Sequence, residues 1–209
     1  MGDEVHGRSS SGSLDDLKAK LGGFGLDDDD AAAWARSGLP QDAFDDWLTD
    51  RVARRPQGLR AREIYTDPAM HEFARRAILS ALALDSHDHL LEIGCGGGIL
   101  LRDALATGAR VTGVDHSPEM VALARENAPR ATVVESDAAS LPFADATFTK
   151  AALAVVFFFL PDPVRVLREC ARVLVPGGRV AVYTTGPELR GTPAAPEPIA
   201  SRGYFYRDD

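Results

Sequence analysis

Leu90-Leu91-Glu92-Ile93-Gly94-Cys95-Gly96-Gly97-Gly98-Ile99 decides the fold. A short apolar strand runs straight into a glycine turn, and Ile99 to Leu105 then reads as a helix ended by Gly108. Glycines at such a turn let a ligand approach the backbone without a Cβ in the way. A glycine cluster alone is weak evidence, because any tight strand-to-helix turn favours glycine. Its surroundings decide what it means.

Downstream, strands and helices alternate. Arg110–Asp115 is a second strand, and Ser117-Pro118-Glu119 then starts a helix, with Ser as N-cap, Pro in the first position and Glu in the first turn. Ala131–Glu135 and Phe148–Ala154 are the third and fourth strands. Asp162-Pro163 opens a helix with Val164, Leu167, Ala171 and Leu174 on one face. Pro176-Gly177-Gly178 then turns the chain into a fifth strand, Arg179–Thr184. This alternation predicts an α/β fold: a Rossmann-like, doubly wound, mostly parallel sheet with helices on both faces. Right-handed crossovers gather the carboxyl ends of the strands on one rim, where ligands bind.

Upstream the texture is helical. Residues 1–13 are rich in Gly and Ser and read as a disordered tail, residues 14–84 as a helical cap, and residues 85–209 as the ligand-binding domain. Leu14, Leu17 and Leu21 fall at helical spacing. Asp27 to Asp30 precede Ala31-Ala32-Ala33-Trp34 and suit the positive end of a helix dipole better than a metal site, since helical neighbours point in different directions. Pro40–Arg54 and Ala69–Leu84 read as amphipathic helices, the second with Phe73, Ile78, Leu79 and Leu82 facing a core.

The chain has 209 residues, a net charge of −8 and two cysteines, Cys95 and Cys170. Two cysteines are too few for a disulfide framework, so a reducing cytoplasm is expected. The longest apolar run, Ala151–Leu160, is half of what a spanning helix needs, and the polar start Met1–His6 has no apolar secretion core. No membrane partner is expected. Nor is nucleic acid, given the acidic balance and the absence of a basic stripe.

The surroundings of the glycine turn strengthen it: Asp115 ends the second strand, 21 positions after Gly94. A carboxylate there can accept both hydroxyls of an adenosine ribose; a solvated turn aspartate is the bland alternative. The dinucleotide pattern G-x-G-x-x-G/A fits at Gly94 and Gly96, but its sixth position is Ile99.

An acidic residue followed by G-x-G-x-G resembles the class I S-adenosylmethionine-dependent methyltransferases. Four further stretches resemble that family in order and spacing: Val111–Met120, Ser136–Phe143, Phe148–Pro163 and Leu167–Gly178. The resemblance runs from about Leu90 to Thr184. It implies S-adenosyl-L-methionine as cofactor and methyl transfer to a small, partly apolar acceptor. Gly94, Cys95, Gly96 and Gly98 are then expected to line the methionine part. Glu92 would orient that loop or reach the amino group. Asp115 would hold the ribose hydroxyls, with His116 and Met120 beside the adenine. Asp137 and the Ala138 N–H would meet the adenine edge, and Leu153 and Ala154 would border the methyl-donor end. No metal is expected.

Some residues depart from the pattern. Ala154-Val155-Val156 is wholly apolar where relatives often place a polar residue, and Thr149 stands where Asp is common. No general base is evident in that window; Tyr65 and His71 are the candidates outside it, so no catalytic residue is assigned. Cys95 reads as a small residue in a tight loop, Cys170 as core, and Phe157-Phe158-Phe159 as either pocket or core. The family's sheet has seven strands in the order 3-2-1-4-5-7-6, and five are legible before the sequence stops at Asp209. A truncated gene product or a completing partner is expected, with the fifth strand open to self-association. Two competing readings remain: an inactive relative that only holds the cofactor or S-adenosylhomocysteine, and an NAD(P)-binding oxidoreductase.

Overall fold

The computed structural model describes residues 21, 26–49, 51, 56, 58–67 and 71–184. The expected tail 1–13, the segment 14–20 and everything after 184 lie outside the described residues. Leu21 is helical and buried. The chain falls into two compact units that divide between Phe44 and Asp45.

In the first unit, helix α1 (Asp28–Ser37) starts at the four aspartates. Asp27 is the N-cap: its Oδ1 accepts from the N–H groups of Asp29 at 2.9 Å and Asp30 at 3.1 Å, and Asp30 Oδ2 accepts from Asp27 N–H at 3.1 Å. This reciprocal box satisfies donors that a helix start leaves without partners. Among the described residues no group of His, Cys, Asp and Glu could hold a metal ion. Trp34 packs edge-on against Phe44, with ring centroids 5.0 Å apart. The helix expected over 40–54 is described as a 3-10 turn, Gln41–Ala43, followed by the short helix α2 (Phe44–Thr49).

The second unit holds α3 (Gly58–Thr66), α4 (Glu72–Leu82), β1 (His89–Ile93), α5 (Ile99–Leu105), β2 (Arg110–Asp115) and α6 (Pro118–Asn127). β3 (Thr132–Glu135), β4 (Phe148–Ala154), α7 (Pro163–Val173) and β5 (Leu174–Tyr183) follow. The five strands form one sheet in the order β3-β2-β1-β4-β5, every pair parallel. β1 lies central, with Ile93 level with Val114 of β2 and Glu92 level with Ala152 of β4. Leu90, Leu91 and Ile93 have no exposed surface, as a parallel strand covered on both faces requires. One face packs on Ile78, Leu82, Leu100, Leu101 and Val121; the other packs on Val166, Cys170 and Val173.

The caps form at the expected places. Ser117 accepts from Met120 N–H and Asp162 from Arg165 N–H, each followed by proline at the first helical position. Three expectations fail. Phe73 does not face the core but is 72% exposed. The buried stripe of α4 is Ala74, Ile78 and Leu82 at four-residue spacing, and Phe73 sits one position off it, against the ring of Tyr183. On α7 the buried stripe is Val166, Cys170 and Val173, so Val164 and Leu167 are exposed. Strand five begins at Leu174, ahead of the glycines, because Pro176–Gly178 bulges out between the pairings Phe148↔Leu174 and Lys150↔Arg179. Helix α3 falls within the segment 14–84 expected to be helical, although the sequence does not mark it as a separate helix.

Replacing Ile78 with Ala should cost about 2–5 kcal/mol, as for other fully buried aliphatics, whereas Phe73→Ala should cost less than about 1 kcal/mol. Urea unfolding of the two variants checks the order.

Candidate functional site

The site is built where β1 and β2 end side by side. Beyond Ile93 the chain must turn sharply into α5. Gly94, Gly96 and Gly98 take left-handed φ values of 71°, 49° and 78°, which side chains with a Cβ rarely adopt. The N–H groups of Gly94 and Cys95 both donate to the carbonyl of Val114, at 2.8 and 2.9 Å. The turn is thereby tied to the end of β2.

Asp115 completes the tie. Its Oδ2 accepts from Gly96 N–H at 2.8 Å and its Oδ1 from Ser117 N–H at 2.9 Å. The residue is 8% exposed. Each oxygen keeps a lone pair beyond the one these bonds use. Burial raises the Asp115 pKa above the ordinary carboxylate value, while the N–H groups of Ser117 and Gly96 pull it back.

Glu92 lies beneath the loop and is 2% exposed. Its Oε2 has no hydrogen-bond partner; His89 Nδ1 is the other such atom among the described residues. Burial first, then the charges of Asp115 and Asp103, push its pKa well up, and Arg75 opposes this. Arg75 itself is nearly buried on α4 and pairs with Asp103 of α5 at 3.1 Å. The Asp115 charge therefore adds to the cost of ionising the buried Glu92, an arrangement that a positively charged ligand relieves.

Cys95 points away from this spot into the core. A Cβ on Gly113 would lie 2.9 Å from its Sγ. Burial and the charges of Glu92 and Asp115 hold its thiol well above the ordinary value, so it is no nucleophile. Cys170 is core, with its thiol pushed up to about 11 by burial.

The other expected residues are spread along the same rim. His116 is exposed, and Met120 is buried in α6. Asp137 is exposed and turns its Oδ1 onto Ala139 N–H, at 2.8 Å. Ala138 is half-buried and packs on the core beside α7. Leu153 is fully buried in that same core, and Ala154 is half-buried at the end of β4. The loop bearing Leu141 and Phe143 is braced by α7: Glu169 accepts from Leu141 N–H, and Arg172 donates to the carbonyls of Leu141 and Phe143. Thr149 works at the opposite rim, accepting from His89 N–H and donating to Asp88. Phe157 packs partly on the core beside α7.

Of the two base candidates, Tyr65 is the one at the loop. Its ring carbon Cδ1 lies 3.8 Å from where a Cβ on Gly96 would stand. Burial, then the Asp115 charge, pushes its phenol up to about 12. At neutral pH it is a proton donor, so the role of base does not suit it. His71 begins α4, its pKa held below the ordinary value by burial and by Arg75.

Three residues were given no place in the site from the sequence. Gly97 has no left-handed φ, yet a Cβ there would strike the backbone carbonyl of Tyr65. Val156 closes the other side, since a Cβ on Gly94 would come within 2.6 Å of it. It is presented by Val155, whose φ of 60° is strained for a β-branched residue. Asn127 reaches the loop from the end of α6. None of these leaves a mark in spacing or periodicity.

Residues 91–182 match the family described as "Methyltransferase domain". A sterol 4-C-methyltransferase of Caenorhabditis elegans is 34% identical over 112 residues, covering 51% of this chain and 34% of the relative. A ubiquinone biosynthesis O-methyltransferase of Xanthomonas oryzae pv. oryzae is 34% identical over 111 residues, 51% of this chain and 45% of the relative. Among solved structures, a SAM dependent methyltransferase from Aquifex aeolicus superposes with a TM-score of 0.57 at 25% identity, covering 65% of this chain and 77% of that one. The chain spans less than half the length of these two curated relatives.

The raised Glu92 pKa fixes a pH dependence. A carboxylate that binds its proton more tightly when folded favours the folded state least at high pH, so its contribution falls as pH rises from the ordinary 4.5 through the native value. Glu92→Gln should therefore gain stability over the parent at pH 8 and lose that gain as pH approaches 4.5. Urea unfolding of the ligand-free proteins across that range measures the difference.

Proposed function

We propose that residues 91–182, which match a methyltransferase domain, form a class I S-adenosylmethionine-dependent methyltransferase domain, and that this chain binds S-adenosylmethionine and transfers its methyl group to a small, partly apolar molecule. The observation that carries the reading is the pair of buried carboxylates at the glycine loop, with Glu92 Oε2 left without a partner. A cationic amino acid moiety beside a ribose meets both needs. The chain's charge of −8 favours a small acceptor over a nucleic acid.

When bound, the cofactor supplies a methyl group on a positively charged sulfur, an already activated leaving group. The protein's part is to bind and orient. Asp115 offers the remaining lone pair on each oxygen to the two ribose hydroxyls while keeping its bonds to Gly96 and Ser117. Glu92 places negative charge under the loop, facing the amino group. Gly94, Gly96 and Gly98 present bare backbone to the methionine chain, with Cys95 tucked into the core beneath them. His116 and Met120 flank the adenine, and Asp137 and the Ala138 N–H meet its edge. Ala154, Val155 and Val156 supply apolar surface that keeps water from the reacting atoms, with Leu153 packed behind them. Proximity and orientation then carry most of the rate, with no general base assigned.

No helix among the described residues is long and apolar enough to cross a membrane. Two buried free thiols suit a reducing compartment, and we place the reaction in the cytoplasm. β5 carries exposed Val180 and Val182, which favours self-association through that strand, to be read by sedimentation.

Calorimetric titration with S-adenosylhomocysteine tests the reading. Micromolar binding is expected, weakened tenfold or more (roughly one charge-assisted hydrogen bond) in Asp115→Asn. Transfer of isotope-labelled methyl to a panel of phenols and amines is expected alongside. A folded chain that binds NAD(P) and not S-adenosylhomocysteine would overturn it in favour of an oxidoreductase. Binding without any transfer would reduce it to an inactive, cofactor-holding relative.

A further inference from the structure

Helix α3 ends directly on the glycine loop. The contact is backbone to backbone: the carbonyl oxygen of Tyr65 occupies the space that a Cβ on Gly97 would need. Gly97 is thus glycine for close approach, whereas Gly94, Gly96 and Gly98 are glycines for conformation. One side chain spans the junction. Asn127, the last residue of α6, donates from Nδ2 to the carbonyl of Gly97 at 2.8 Å and to the carbonyl of Thr66 at 3.3 Å. Both partners are carbonyl oxygens and can only accept, so the amide nitrogen must face them. One turn earlier on α3, Arg62 pairs with Glu126 at 2.6 Å, but both side chains are too exposed for that pair to hold much.

We infer that Asn127 is a positioning residue of the cofactor site: its carboxamide fastens the end of α3 to the glycine loop and so fixes the Tyr65 ring over Gly96. The loop's backbone must keep one shape to receive the cofactor, and the Gly97 carbonyl is held by a side chain that reaches in from α6, outside β1, β2 and the loop itself. Losing the amide frees two carbonyls to rotate towards water, and α3 with its tyrosine then loses its register over the loop. The inference rests on the proposed cofactor reading for its functional consequence, and on α3 alone for its structural one.

Two variants separate donor chemistry from packing. Asn127→Asp keeps the shape and removes both donors, so a role in packing alone predicts near-parental behaviour and the positioning role predicts a loss like that of Asn127→Ala. Gly97→Ala should mimic the loss by pushing Tyr65 away. Amide hydrogen exchange of ligand-free protein over residues 58–66 should speed up about tenfold in Asn127→Asp and Asn127→Ala, the weight of a buried hydrogen bond or two, with exchange in β1 and β4 unchanged. Stopped-flow release of S-adenosylhomocysteine should quicken by a similar factor. Unchanged exchange in α3 overturns the positioning role. Faster exchange in α3 with an unchanged release rate also overturns it, since α3 would then be fastened without serving the cofactor. If the parent chain binds no S-adenosylhomocysteine, the cofactor reading fails and the role falls with it, whereas the exchange data would still report whether Asn127 fastens α3.

Discussion

The bond from Gly96 N–H to Asp115 is the constraint on which the site depends. It joins a loop that leaves β1 to a carboxylate that ends β2, and it forms only because those strands lie parallel and in register, with Ile93 level with Val114. Move β2 by one residue and the carboxylate points to the other face of the sheet. The left-handed glycines let the loop curl back far enough to reach it. The same bond keeps a buried aspartate satisfied before any ligand arrives. The loop is therefore shaped in advance, and ligand binding need not supply the energy of ordering it.

The electrostatics follow from that geometry. Asp115 is partly compensated by two N–H groups, whereas Glu92, deeper and with an orphan oxygen, is not. Arg75 opposes the rise of the Glu92 pKa through its charge and also pairs with Asp103, at 3.1 Å. The negative charge at the loop is left for a ligand. Tyr65 responds in the same sense: burial, then the Asp115 charge, makes its phenol hold its proton. Below the loop lie acceptors and above it a protonated phenol, and no general base is assigned among the described residues. That suits a reaction whose leaving group is already activated and whose difficulty lies in alignment.

Much of this was legible in the sequence, for identifiable reasons. The strands were readable because a covered parallel sheet needs unbroken apolar runs, and Leu90-Leu91 and Val111–Val114 are such runs. Helix starts were readable at Ser117-Pro118 and Asp162-Pro163 because capping is local chemistry. Asp115 stood out because it closes the strand beside the glycine turn, and Glu92 because it precedes the glycines in a pattern that the family resemblance covers. What stayed hidden depends on contacts between distant segments. Phe73 looked like core until the stripe through Ala74, Ile78 and Leu82 showed which side of α4 faces the sheet. Gly97 differs from its neighbours only through the Tyr65 carbonyl against it, and nothing in the sequence marks Asn127. Helix α3 has a weak apolar pattern, and the ties that join it to the loop run through its end.

The central claim is that Asp115 keeps hold of the loop while its free lone pairs take a ribose. A crystal structure of the chain with S-adenosylhomocysteine measures this directly. The account predicts both ribose hydroxyls within hydrogen-bond distance of the Asp115 oxygens, the Gly96 N–H still donating to Oδ2, and the amino group on the Glu92 side of the loop. A nucleoside bound elsewhere on the rim, or one that displaces Gly96 from Asp115, would contradict it.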